Sequence, residues 1–186
     1  MANNNKKKML FTTPKGTAIY PWLNRADFQF DTAGQYKVNL RVSQDDAKEL
    51  MGNVQDAAND AFGAKAKSAK MPWKVEQETG DILLITKSKF KPRLVDSTGQ
   101  VIPESNEPQV NSGSTIKCAG TIFPYSAGGN IGISLQLAGV QLIELAERGE
   151  TQLGFGTEEG GFIAAAANDN TTSNDGDGAG DASYNF

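Results

Sequence analysis

From Gln35 to Ser43 every second residue is large and apolar. Tyr36, Val38, Leu40 and Val42 fall on one side, and Lys37, Asn39 and Arg41 fall on the other. A period of two is the signature of a strand buried on one face, and here the outer face is basic. Upstream, Thr17 to Leu23, with Ile19, Tyr20, Trp22 and Leu23 around Pro21, reads as a first strand or strand edge. The same alternation recurs further along the chain. Asp81 to Lys91 places Ile82, Leu84, Thr86, Ser88 and Phe90 on one parity, with Lys87, Lys89 and Lys91 as a basic ladder on the other. Thr115 to Pro124 points Ile116, Cys118 and Ile122 inward, and Lys117, Thr121 and Phe123 outward. After the turn Ala127-Gly128-Gly129-Asn130, the residues Ile131, Ile133, Leu135 and Leu137 face in. The phase then shifts at Gly139 to Val140 and Leu142, which marks a bulge.

Only one segment has helical spacing. Ser43 caps it, Asp45 and Asp46 occupy its first turn, and Ala47, Leu50, Met51, Val54, Ala57, Ala58, Ala61 and Phe62 recur at i, i+3, i+4. Gly63 weakens its continuation. Lys65, Lys67 and Lys70 follow and read as a solvated helix end rather than a flexible basic arm. Short strands, Gly-rich turns and a single helix predict a mostly β fold, a small antiparallel barrel or sandwich. The preferred form is a five-stranded OB-like barrel with the helix between strands two and three.

Composition removes many chemistries. The 186 residues contain no histidine and one cysteine, Cys118. Ser-His and Cys-His catalysis, imidazole zinc sites, an internal disulfide and CxxC pairs are excluded. Cys118 reads as a small core residue. No apolar run reaches the roughly 18 residues of a spanning helix, and the start of the chain carries no apolar stretch of the secretory kind. The acidic pairs Asp45-Asp46 and Glu158-Glu159 suit a helix start and a Gly-rich segment, while the strand interiors contain no carboxylate for a magnesium site. Gly128-Gly129 lacks the lysine and hydroxyl of a phosphate loop. No enzymatic activity, metal or cofactor is expected.

Charge divides the chain. All 18 Lys and Arg lie at or before Arg148, and six of the 22 Asp and Glu lie after residue 150. The first 150 residues therefore carry +2 and the last 36 carry −6, for a net charge of −4. Four segments are predicted: a flexible basic N-terminus at 1–9, a folded domain at 10–150, a Gly-rich connector at 151–162 and a disordered acidic tail at 163–186. The tail has too little apolar surface to offset the entropy of ordering. It ends in two aromatics, Tyr184 and Phe186, after Asp175, Asp177 and Asp181.

Basic outer faces beside aromatic rings suit single-stranded nucleic acid. Cations follow the phosphates and release counterions, and flat rings stack on bases without choosing a sequence. Lys37, Arg41, Lys87, Lys89, Lys91 and Lys117 are the candidate phosphate contacts, and Phe123, Tyr125 and Trp22 the candidate stacking residues. Phe90 and Trp73 lie near them in sequence. Duplex recognition is disfavoured, because the one helix has an acidic first turn and no basic reading face. A protein-interaction or virion-structural module with a solvated basic face is the main alternative. A metal-dependent nuclease and an RNA-binding protein are further ones.

Several short motifs, in order and spacing, resemble the single-stranded-DNA-binding protein of short-tailed, T-seven-type phages. They are Phe11-Thr12-Thr13 with Gly16-Thr17-Ala18, Gln35-Tyr36-Lys37-Val38-Asn39-Leu40, Val95-Asp96-Ser97-Thr98-Gly99, Phe123-Pro124-Tyr125, Leu135-Gln136-Leu137 with Glu144-Leu145, and the terminal Phe186. The resemblance covers most of residues 10 to 149. It implies an OB-fold that binds single-stranded DNA, promotes annealing and supports replication and recombination in the cytoplasm of an infected bacterium. It also implies an acidic tail that contacts the phage DNA polymerase and helicase-primase and competes with DNA for the groove. Tyr125 carries over as a base-stacking residue. Two departures stand out: Ala127 replaces a tryptophan of the family, and the family's third-strand aromatic is replaced near Lys87. Either stacking then leans on Phe123 or Trp22, or affinity rests more on charge. A homodimer is left open.

Overall fold

The computed structural model describes residues 9–147. The basic run Lys6 to Lys8, the connector 151–162 and the tail with Asp175, Asp177, Asp181, Tyr184 and Phe186 lie outside the described residues. Eight strands and one α-helix follow in order: β1 (Met9–Thr12), β2 (Gly16–Asp27), β3 (Gln35–Val42), α1 (Gln44–Phe62), β4 (Trp73–Val75), β5 (Ile82–Ser88), β6 (Arg93–Val95), β7 (Thr115–Ala127) and β8 (Asn130–Glu144). The fold is mostly β and consistent with an OB-like fold. The five long strands are the five expected from the sequence, and α1 lies between the second and third of them. No helix among the described residues is long and apolar enough to cross a membrane.

Backbone pairing links the long strands in a circuit. β2 pairs β3, β3 pairs β5, β8 pairs β7 and β7 pairs β2, all antiparallel. The remaining pair, β5 with β8, is parallel, through Thr86↔Leu135 and Lys87↔Gln136. Directions cannot alternate all the way around an odd number of strands, so one pair must be parallel. The wholly antiparallel arrangement expected from the sequence is corrected at this point. Three short strands escape the period-two signal: β1 pairs β7, β4 pairs β5, and β6 runs parallel to β8. Each has only three or four residues, too few to show a period.

The inward parity of each long strand meets in one core. Val38, Leu40, Val42, Ile82, Leu84, Ile116, Ile122, Ile133, Leu135, Leu137, Val140 and Leu142 are buried. Cys118 is among them, and burial pushes its thiol pKa up to about 12, which fits an inert core residue. Helix α1 turns Ala47, Leu50, Val54, Ala57 and Ala58 inward. The Ser43 hydroxyl oxygen accepts from the Asp46 backbone N–H at 3.1 Å, as an N-cap does. The helix stops at Gly63, and a 3-10 turn over Gly63–Ser68 carries Lys65 and Lys67 on the surface.

One expectation fails on β5. The strand ends at Ser88, whose hydroxyl accepts from the Phe90 N–H at 3.0 Å and bends the chain. Lys89 and Lys91 therefore do not extend a ladder from Lys87. Phe90 does not continue the buried parity either; it is 83% exposed.

Two glycine sites govern the β7–β8 arm. Gly128 and Gly129 both have positive φ and make the two-residue turn between Ala127 and Asn130. Between Ala119↔Gly139 and Gly120↔Leu137, Ala138 is left without an opposite residue; this is the bulge expected at Gly139. The backbones come so close there that a Cβ on Gly120 would overlap the carbonyl oxygen of Gln136. Gly120→Ala is expected to destabilise the fold by about 3 kcal/mol. Ser43→Ala, which removes only a cap, should cost about 1 kcal/mol. Urea denaturation midpoints measure both, and equal effects would contradict the packing at Gly120.

Candidate nucleic-acid interface

Strand register sets the outer surface. Trp22 pairs Lys37 across β2–β3, Lys37 pairs Lys87 across β3–β5, and Lys87 pairs Gln136 across β5–β8. Neighbouring strands are roughly 4.8 Å apart, so these side chains form one continuous row across four strands. The row is outward because Val38, Thr86 and Leu135, its neighbours of opposite parity, are buried. The Thr86 hydroxyl donates to the Val38 carbonyl at 2.9 Å and fixes β5 against β3 beneath the row.

Exposed rings gather at one end of the β3–β5 pair. β3 starts at Gln35, and Tyr36 pairs Ser88 at the end of β5. The 28–34 loop and the turn after Ser88 therefore lie at the same end. Phe28, Phe30 and Phe90 project there, with Phe30 86% exposed. The Lys37 ammonium lies 5.8 Å from the centre of the Phe30 ring, and the Arg25 guanidinium lies 5.3 Å from the centre of the Trp22 ring. Cations thus already sit against two of the flat surfaces. Lys87 and Lys89 are exposed beside them.

Three of the six candidate phosphate contacts hold internal partners. The Lys37 ammonium pairs with Asp27 at 2.5 Å, and Asp27 is itself buried. Lys37, and then the Gln29 N–H donating at 2.9 Å, hold the Asp27 carboxyl below its usual range. Arg41 pairs with Glu76 at 2.8 Å, which raises the guanidinium pKa and lowers that of Glu76. Lys91 pairs with Glu104 at 2.6 Å and Glu107 at 2.8 Å, and its pKa is raised by both. Lys87, Lys89 and Lys117 have no ion pair among the described residues. Lys117, however, pairs Gln141 on the β7–β8 arm, and β7 borders neither β3 nor β5.

The stacking candidates separate into two groups. Trp22 belongs to the row with Lys37. Phe123 and Tyr125 lie on the β7–β8 arm, opposite Ser134 and Gly132. Phe123 follows two residues after Thr121, which pairs Gln136, so it continues the outer surface away from Lys87. Tyr125 is half-buried because its ring lies across Gly132, where a Cβ would come within 2.6 Å of its hydroxyl. The segment after the 3-10 turn reinforces this arm: the Lys70 N–H donates to Ile131 and its carbonyl accepts from Ile133, both at 2.9 Å.

The structure thus brings together Trp22, Lys37, Lys87 and Lys89. It turns Arg41 and Lys91 toward carboxylates and keeps Lys117 on another wall. Arg25, Phe28 and Phe30 are not legible as site residues by alternation. Their signal is a Phe-x-Phe pair in the otherwise polar stretch from Asp27 to Gly34, where no strand core could absorb them.

The Asp27–Lys37 pair has a pH signature. The Asp27 pKa is depressed below its ordinary 3.8, so its contribution to stability is present above that value and fades as pH falls through the lower native value. Asp27→Asn should remove that part of the acid-side loss and weaken the protein near neutral pH. Thermal midpoints measured from pH 7 down to pH 2 check this; parallel curves for the parent and D27N would contradict it.

No family model matches the sequence, and no curated protein matches it. Solved structures do. The single-stranded DNA-binding protein gp2.5 encoded by bacteriophage T7 matches with a TM-score of 0.65 and 24% identity, over 85% of this chain and 100% of that one. The single-stranded DNA-binding protein of bacteriophage Enc34 in complex with single-stranded DNA matches with a TM-score of 0.63 and 12% identity, over 78% of this chain and 95% of that one. A C-terminal truncation of the Enc34 protein gives 0.62 and 11%, over 74% and 87%. In fold, this chain is similar to the single-stranded-DNA-binding proteins of phages.

Proposed function

We propose that this chain is a non-catalytic phage protein that binds single-stranded DNA on a five-stranded OB-like barrel. The closed circuit of β2, β3, β5, β8 and β7 supports the barrel. The observation that carries the function is the row Trp22, Lys37, Lys87, with Lys89 and the exposed rings of Phe30 and Phe90 at its end. Flat rings there offer roughly 1–3 kcal/mol of stacking per base, independent of sequence, and the lysines neutralise phosphates. The similarity to solved single-stranded-DNA-binding proteins supports the same reading.

Lys87 and Lys89 are the principal phosphate contacts. Lys37, Arg41 and Lys91 contribute less, because a carboxylate already neutralises each one, and Lys117 serves a strand that continues onto the β7–β8 arm. Phe123 and Tyr125 would stack bases on that arm. Coating of unpaired DNA in replication and recombination, and annealing, follow from the resemblance in the sequence. So does a tail in which Asp175, Asp177 and Asp181 imitate phosphates, Tyr184 and Phe186 imitate bases, and the phage polymerase and helicase-primase are the partners.

Salt titration of binding to oligo-dT tests the reading. The plot of log K against log salt should be steep and negative, and K87A/K89A should flatten it by about 1.4. K91A should change the slope far less, since its cation is already paired. A flat parent slope, or equal affinity for duplex DNA, would contradict the function. Deleting residues 163–186 should tighten binding at low salt, and unchanged affinity would remove the competition by the tail.

A further inference from the structure

Strand β2 also builds a cleft, and its Arg25 and Gln109 take no part in the phosphate or stacking assignments above. Two irregularities create it. Between Ile19 and Trp22 the register with β3 shifts by one residue, at Tyr20, whose φ is +48°. Ala18 and Leu23 are both buried, so this extra residue reverses the phase of the strand and turns Trp22 out toward Lys37. Without it Trp22 would share the inward parity of Ala18. Left-handed backbone at a tyrosine before a proline is strained, and the Tyr20 N–H is held by the Ser112 hydroxyl at 2.9 Å. A second shift between Trp22 and Asp27 loops the chain so that Arg25 comes back over the Trp22 ring.

The wall of the cleft comes from the loop before β7. The Asn24 side chain donates to the Pro108 carbonyl at 2.9 Å and accepts from the Val110 N–H at 3.0 Å. Both groups of the Asn24 amide are thereby used, and they pin Gln109 between them. Pro21, Trp22, Leu23, Asn24, Arg25 and Gln109 line the resulting cleft. Arg25 and Gln109 are exposed, and Arg25 has no ion pair among the described residues.

We infer that this cleft is a nucleobase subsite, an inference that rests on the single-stranded-DNA reading above. Arg25, whose guanidinium lies over Trp22 at 5.3 Å from the ring centre, offers a planar cation to a base, which stacks on it and turns an edge toward the Gln109 amide. The chemistry favours this over a plain phosphate contact. The guanidinium has an indole beside it and no carboxylate partner among the described residues, and planar Arg surfaces stack on unpaired bases. The Gln109 side-chain nitrogen donates to the Val110 carbonyl at 3.4 Å, which leaves its second N–H and its oxygen for a base edge, and every unpaired base carries an adjacent donor and acceptor.

The test is binding of the full chain to oligo-dT and oligo-dA, with salt titration and tryptophan fluorescence. Arg25→Lys keeps the charge and removes the plane. R25K should bind oligo-dT about fivefold more weakly, with the parent's salt slope and with smaller quenching of Trp22. Trp73 packs against the core, so its emission should respond little. Gln109→Ala should weaken binding to both oligo-dA and oligo-dT, by less than R25K does. An R25K protein that binds oligo-dT as the parent does, or a Q109A protein that binds both oligonucleotides as the parent does, overturns the subsite while leaving the function intact. A parent that binds neither oligonucleotide overturns the function itself. Both side chains are exposed, and unchanged thermal midpoints would show that neither substitution acts through folding.

Discussion

Everything on the outer surface depends on how the circuit of strands closes. Five strands cannot alternate in direction throughout, so β5 must meet β8 in parallel, and it does so over only two residue pairs, at Thr86 and Lys87. That short seam joins Lys87 to Gln136 and carries the outward row from Trp22 across to the β7–β8 arm. Beneath it, Thr86 is a polar residue in a fully buried position, and its hydroxyl bond to the Val38 carbonyl satisfies it while fixing β5 on β3. A slip of one residue at the seam would turn Lys87 inward and Thr86 outward. The seam, the core beneath it and the charged surface above it are therefore one constraint. The bulge at Ala138 and the close backbone approach at Gly120 let β8 bend away from the seam to pair with β6.

The cations are not equally available. Three of the six basic residues that alternation singles out are neutralised by Asp27, by Glu76, or by Glu104 with Glu107. These pairs tie Lys37 on β3 to the end of β2, Arg41 on β3 to the turn between β4 and β5, and Lys91 in the turn between β5 and β6 to the loop after β6. Their main effect is on loop position, since partly exposed pairs contribute little stability. At the Lys37 pair the effect reaches the interface, because the same ammonium lies against Phe30. A lysine that orders a ring and a lysine that meets a phosphate look identical in a sequence. Only the buried carboxylate opposite tells them apart.

Much of the architecture is legible in the sequence. The five long strands, the helix with its Ser43 cap, the Gly128-Gly129 turn and the phase shift near Gly139 all follow from alternation, capping and turn chemistry. β1, β4 and β6 are shorter than the pattern that would reveal them, and the parallel seam is a property of closure that no local pattern encodes. At the interface, outward parity places Lys37 and Lys87 on the surface but does not say which strands are neighbours, so it groups Lys117 with charges it does not adjoin. Phe90 shares the parity of a strand that ends two residues earlier. Trp22, Arg25, Phe28 and Phe30 sit where register shifts and loops suspend the period of two. Sequence periodicity is blind at those places, and they are where rings and cations meet.

On the proposed function, an unpaired strand crosses the outer row of β2, β3 and β5, led by the rings at its loop end. Amide and indole chemical-shift mapping during titration with oligo-dT addresses this residue by residue. The largest changes should fall on Trp22, Arg25, Phe30, Lys37, Lys87, Lys89 and Phe90, with smaller ones on Phe123 and Tyr125. Changes concentrated around Lys117, or around Arg41 and Glu76, with the row left undisturbed, would contradict it.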